Sequence, residues 1–129
     1  MGRDIKIMLV EDNPEDVAFT NRLLKHNKLD GDLVVAFSGS QAMEALEKKA
    51  RECDLPNLIL LDINLPDISG IDLLTRIKQD DRFRRIPVVI LTGSNEDEDI
   101  QRSYDLGAST YLVKPIFNDA LMQVIDRLF

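Results

Sequence analysis

Residues 5–16 read Ile5-Lys6-Ile7-Met8-Leu9-Val10-Glu11-Asp12-Asn13-Pro14-Glu15-Asp16. The short apolar run rich in branched side chains reads as a buried strand. It ends in two acids, Glu11 and Asp12, and a helix-start signal follows at once. Asn13 can cap, Pro14 suits the first helical position, and Glu15 and Asp16 favour the positive helix end. The helix is expected to run to about residue 27, with Val17, Leu23 and Leu24 inward.

The same alternation continues outward from this stretch. Strands are expected at residues 33–37, 57–61, 86–91 and 110–113, the third with Asp62 at its end. Helices are expected at 40–52, 70–81, 96–106 and 116–129, with apolar stripes such as Leu121, Ile125 and Leu128 at i, i+4 and i+7. Pro87 is tolerable only near a strand start. Five strands alternating with five helices imply an α/β, doubly wound, five-stranded parallel sheet with helices on two faces. Right-handed crossovers lead to strand order 2-1-3-4-5, the flavodoxin-like order, with the first and fifth helices on one face. The direction change then falls between strands 1 and 3, and ligands of such sheets bind at the carboxyl ends there.

Composition bounds the function. The chain has 129 residues, enough for one domain with its own core. It is 44% hydrophobic and 30% charged, ordinary globular values, with net charge −7 and pI near 4.6. A phosphate-binding nucleic-acid surface needs clustered Lys and Arg, so direct nucleic-acid binding is not expected. Cys53 is the lone cysteine and His26 the lone histidine, which excludes an internal disulfide, a Cys-based metal cage and two-His zinc sites. Cys53 reads as an inert small residue and His26 as a solvated helix end. No apolar run is long enough for a membrane span, and no signal region opens the chain. Gly2 starts a myristoylation-like pattern, but Lys6 stands where it needs Ser or Thr. A reducing, cytoplasmic location is the expectation.

At the carboxyl ends stand Glu11 and Asp12, Asp62, Thr92 and Lys114. Singly, each suits a turn or cap. Together, three carboxylates in one crevice repel unless a cation offsets them. A hard divalent ion with oxygen ligands answers this; Mg2+ fits best, with Mn2+ the alternative. The remaining set suits phosphoryl chemistry. Asp62 can act as nucleophile, and Lys114 can supply positive charge to a phosphoryl oxygen. The Thr92 hydroxyl and the Gly93 N–H can donate hydrogen bonds, with glycine keeping that backbone uncrowded. No nucleotide-binding glycine motif occurs, so the phosphoryl donor should be another molecule.

The chain resembles the receiver domain of two-component response regulators. The matching pieces are Val10-Glu11-Asp12, the run Leu61-Asp62-Ile63-Asn64-Leu65-Pro66-Asp67-Ile68-Ser69-Gly70, Leu91-Thr92-Gly93 and Tyr111-Leu112-Val113-Lys114-Pro115. The resemblance implies that Asp62 takes a phosphoryl group from a phosphohistidine on a sensor histidine kinase or histidine phosphotransfer protein. It implies that Glu11, Asp12, Asp62 and the backbone carbonyl of Asn64 hold Mg2+, and that Lys114 contacts the phosphoryl group. Thr92 and Tyr111 would be the coupled switch residues, and Lys114-Pro115 a cis peptide. Asn64 and Ser94 would flank the water that removes the phosphoryl group and so tune its lifetime. Glu11 and Gly93 depart from the commoner aspartate and alanine. The segment 80–85, with residues 11–16 and 103–108, resembles the stand-alone regulators paired with phytochrome-type kinases.

On this resemblance, residues 1–129 form a single receiver domain with no output domain. Output is expected at the face of helix 4, strand 5 and helix 5, through a partner or a homodimer, with Ile100 and Tyr104 as an apolar patch or as packing on the sheet. Phe117 and Phe129 are open to either reading. Three rival readings fit the residues less well. A pseudo-receiver is disfavoured by the intact acids and Lys114. An aspartyl-phosphate hydrolase needs a general-acid aspartate where Asn64 stands. Flavin binding lacks aromatic side chains to sandwich the ring. The expected protein is therefore a phospho-acceptor, not a turnover enzyme on a separate substrate.

Overall fold

The computed structural model describes residues 4–94 and 98–129. The elements are β1 (Ile7–Val10), α1 (Pro14–His26), β2 (Val34–Ala36), α2 (Gly39–Arg51), β3 (Leu58–Asp62), α3 (Gly70–Gln79), β4 (Val88–Thr92), α4 (Asp99–Asp105), β5 (Thr110–Val113) and α5 (Asn118–Leu128). All strand pairs are parallel, in the order β2-β1-β3-β4-β5.

β1, β3 and β4 are buried on both faces, the outer strands β2 and β5 only in part, and side-chain parity sorts the buried residues into two cores. Ile7, Leu9, Leu58, Leu60, Val89 and Leu91 face Leu24 of α1 and Leu121 and Ile125 of α5. Met8, Val10, Ile59, Leu61, Val88 and Ile90 face Ala42 and Leu46 of α2 and Leu74 and Ile77 of α3. Each fully buried Leu, Ile, Val or Met among them stabilises the fold by about 1.5–3 kcal/mol.

Register decides what reaches the carboxyl edge. Val10 pairs with Leu61, Asp62 with Leu91, and Thr92 with Val113. Glu11, Asp62, Thr92 and Lys114 therefore end four neighbouring strands at nearly one level. Asn13 caps α1 as read, its Oδ1 accepting from the N–H groups of Glu15 at 2.9 Å and Asp16 at 3.2 Å.

Element ends differ from expectation where side chains intervene. α3 stops at Gln79 because Asp80 turns to extended backbone and accepts from the Arg82 N–H and guanidinium. The segment 80–85 is then anchored by Phe83, fully buried beneath the Arg82 guanidinium at 4.6 Å. Lys78 ties the same segment down, its Nζ donating to the carbonyls of Arg84 at 3.0 Å and Ile86 at 2.8 Å. α5 starts at Asn118, after buried Ile116. The expected start of helix 4 at Glu96, and the chain start at residues 1–3, lie outside the described residues. Ile100 is buried at 8% exposure, which resolves its two readings toward packing; Tyr104 remains exposed. Cys53 and His26 are exposed.

Candidate functional site

Lys114 gathers the site. Its Nζ donates to Glu11 Oε1 at 2.5 Å, Asp16 Oδ2 at 3.1 Å and Asp62 Oδ2 at 3.2 Å. Glu11 is 1% exposed and Asp62 5%. Carboxylate oxygens of Glu11, Asp12 and Asp62 lie within 4.8 Å of one another. Burial pushes the Glu11 carboxyl up to about 8, the adjacent Asp62 carboxyl adds to the rise, and the Lys114 ammonium opposes it. Burial disfavours the charged form of Lys114, but Glu11, Asp62 and Asp16 outweigh it and hold the ammonium well above its ordinary value.

Glu11 Oε2 is buried and has no hydrogen-bond partner among the described residues. An unpartnered buried carboxylate oxygen is costly, and a hard cation satisfies it. The Glu11, Asp12 and Asp62 carboxylates together fit Mg2+ or Mn2+ in donor type, in spacing and in the charge they need offset.

Asp62 is held from both sides. Its Oδ1 accepts the Asn64 N–H at 3.0 Å, while Oδ2 faces Lys114. The Thr92 side chain is fully buried, and its hydroxyl donates to the Ser94 carbonyl at 3.2 Å. Asn64, Gly93 and Ser94 are exposed at the mouth. Among the described residues, a Cβ on Gly93 would meet nothing within 4 Å. Tyr111 is half-buried, edge-on to Tyr104 with centroids 6.3 Å apart and planes at 85°. The Tyr104 hydroxyl is 3.1 Å from Thr110 Oγ1, so α4 and β5 meet through these groups. The Lys114–Pro115 peptide is cis.

Two supporting residues escape a reading of the sequence. Asp16 contacts Lys114, yet it reads only as an acid in the first turn of a helix. Asp67, read only as part of the run 61–70, ties the loop after β3 to α2. Its Oδ1 accepts from the Gly39 N–H at 2.8 Å, and Oδ2 from the Ser40 N–H at 2.9 Å and hydroxyl at 2.8 Å. The Ser40 hydroxyl, followed by the two N–H groups, holds the Asp67 carboxyl well below the usual range. Gly70 closes the loop, its N–H donating to the Ile63 carbonyl at 2.9 Å.

A doubly wound sheet with an acidic trio and a lysine at its switch point defines a class: signalling domains that accept a phosphoryl group beside a divalent cation. The chain belongs within that class to the response regulator receiver domain family, whose profile matches residues 7–126. It is 40% identical over 110 residues to the response regulator Rcp1 of Synechocystis sp., covering 84% of this chain and 75% of that protein. The structure of the bacteriophytochrome response regulator AtBRR superposes with TM-score 0.84 at 38% identity, covering 96% of this chain and 91% of that one. The phosphorylated cyanobacterial phytochrome response regulator RcpA gives TM-score 0.80 at 35% identity, covering 98% and 91%. Receiver domains are phosphorylated on aspartate, bind Mg2+ or Mn2+ at an acidic site and work with sensor kinases or phosphotransfer proteins. They are signalling phospho-acceptors rather than turnover enzymes. No helix among the described residues is long and apolar enough to cross a membrane.

Proposed function

We propose that Asp62 is the phosphoacceptor of this receiver. The observation that carries the reading is its buried carboxyl at the end of β3, 3.2 Å from Lys114 and within the Glu11–Asp12 acid group. A carboxylate oxygen of Asp62 attacks the phosphorus of a partner's phosphohistidine. The new O–P bond forms as the P–N bond breaks, and the departing imidazole takes up a proton. Glu11, Asp12, Asp62 and the Asn64 carbonyl would hold Mg2+, which when bound neutralises charge on the transferring group.

The chain's own residues do the rest. Lys114 gives a point charge to one phosphoryl oxygen. The Thr92 hydroxyl leaves the Ser94 carbonyl for another, joined by the Gly93 N–H, and Tyr111 moves into the space vacated. That two-state element carries the change to the face of α4, β5 and α5, where a partner or a second copy reads it. Asn64 and Ser94 flank the water that later hydrolyses the acyl phosphate, so the domain also ends its own signal. The likeness to bacteriophytochrome regulators supports a phytochrome-type kinase as donor. Residues 1–129 act as one receiver unit in a cytoplasmic setting, with no nucleic acid contacted directly.

Acetyl phosphate with Mg2+ tests the assignment. The wild type should gain one acid-labile phosphoryl group, and Asp62→Asn none. Labelling of Asp62→Asn at the wild-type level would remove Asp62 from the role. Asn64 and Ser94 variants should form the phosphorylated state but change its lifetime; wild-type decay in both would exclude their part.

A further inference from the structure

The three N–H donors of Lys114 are all engaged in this state: Glu11 Oε1 at 2.5 Å, Asp16 Oδ2 at 3.1 Å and Asp62 Oδ2 at 3.2 Å. A phosphoryl oxygen on Asp62 can claim this ammonium only if one of these bonds is released. Glu11 and Asp62 are the buried members of the acid group that would hold the cation. Asp16 is not one of that group. It stands on the first turn of α1 with its side chain 41% exposed, and Lys114 is the partner its carboxylate contacts. Capping does not occupy it either, since Asn13 already accepts the Asp16 N–H.

We infer that Asp16 is a positioning residue that occupies one of the three Lys114 donors in the resting state, a donor that a phosphoryl oxygen on Asp62 must win, and so restrains activation. The inference rests on the Asp62 reading above. A partly exposed ion pair changes an equilibrium by about 1.5- to fivefold. Asp16→Asn should therefore tighten beryllofluoride binding in the presence of Mg2+ by about two- to fivefold and lengthen the life of the acyl phosphate.

Glu15 provides a matched control. It carries the same charge on the same helical turn, is exposed and makes no ion pair with Lys114. Beryllofluoride binding is followed by 19F NMR in the wild type, Asp16→Asn, Asp16→Ser, Glu15→Gln and Lys114→Met, and in the double variant of Asp16→Asn with Lys114→Met. The expected result is tighter binding in both Asp16 variants, none in Glu15→Gln, and loss of the gain when Lys114 is also replaced. An equal gain in Glu15→Gln would make this a general charge effect and overturn the inference. So would unchanged binding in both Asp16 variants, or a gain that survives in the double variant. Wild-type protein that fails to bind beryllofluoride would overturn the Asp62 reading itself; normal wild-type binding with no Asp16 effect overturns this inference alone.

Discussion

Replacing Gly70 by alanine puts a methyl group into space already taken by the backbone beneath the acid group. A Cβ built there lies 2.5 Å from the Asp62 carbonyl oxygen, 2.7 Å from Ile63 Cα and 2.9 Å from the Ile63 carbonyl oxygen. None of these atoms belongs to a flexible side chain. Restoring ordinary contact requires the chain at residues 62–63 to retreat by about 0.9 Å, or α3 to lift. Overpacking of this kind costs about 1–3 kcal/mol. Alanine recovers up to about 1 kcal/mol through helix propensity. The net expectation is about 1–2 kcal/mol of lost stability, or about 4–8 °C in Tm for a domain of this size. The same retreat displaces Asp62 and the Asn64 loop, so Mg2+ affinity should fall about tenfold, the scale for groups that support metal ligands. Gly93→Ala is the control: with nothing among the described residues within 4 Å of its Cβ, it should match the wild type or gain about 0.4–1 kcal/mol through the unfolded chain. Urea denaturation and Mg2+ titration of both variants measure the contrast. Gly70→Ala that melts at or above the wild type with unchanged Mg2+ affinity would refute the packing argument.

Three other outcomes are expected. Glu11 is raised from 4.5 to about 8, so the ion-free folded state keeps a proton that the unfolded chain has released. This contribution is complete below the unfolded value and lost as pH rises through the folded one, so ion-free stability falls across that window. The Mg2+-induced rise in Tm should then be larger at about pH 9 than at about pH 6, and equal shifts would contradict the protonated Glu11. Asp67→Asn removes the charge that bonds Gly39 and Ser40, and should weaken Mg2+ binding and acetyl-phosphate labelling while leaving the circular dichroism of the sheet intact. Asp67 is held below its ordinary value, so its contribution is present above the unfolded carboxyl pKa and lost as pH falls through the folded one. Lys78→Met keeps the aliphatic stem and loses both carbonyl contacts; about 1–2 kcal/mol of stability should go, read by urea midpoint, with Mg2+ affinity unchanged.

The central strands were legible because β1, β3 and β4 are runs of buried, mostly branched side chains, and parity then fixes two faces at once. Their parallel order brought Glu11, Asp62, Thr92 and Lys114 to one edge without knowledge of any side-chain contact. Asp16 was hidden by a sufficient local reason, since acids are common in a first helical turn. Asp67 was hidden by distance, its bonding partners lying 27 and 28 residues earlier. The requirement for Gly70 is a matter of close approach, which no propensity reports. Ile100 and Tyr104 stand four apart on α4, so helical spacing groups them on one side and could not separate the buried residue from the exposed one. The Thr92 hydroxyl could be placed at the site but not aimed, because its rotamer answers to the Ser94 carbonyl.

The connections that lead into β3, β4 and β5 all lie at the edge of the sheet opposite the acid group. The segment 80–85 is anchored there by buried Phe83 and by Lys78, yet its Arg85 is exposed. A dye or affinity handle grafted at that corner would ride on a rigid platform a full strand's length from the chemistry, and could report activation without blocking either the donor's approach or the listener's.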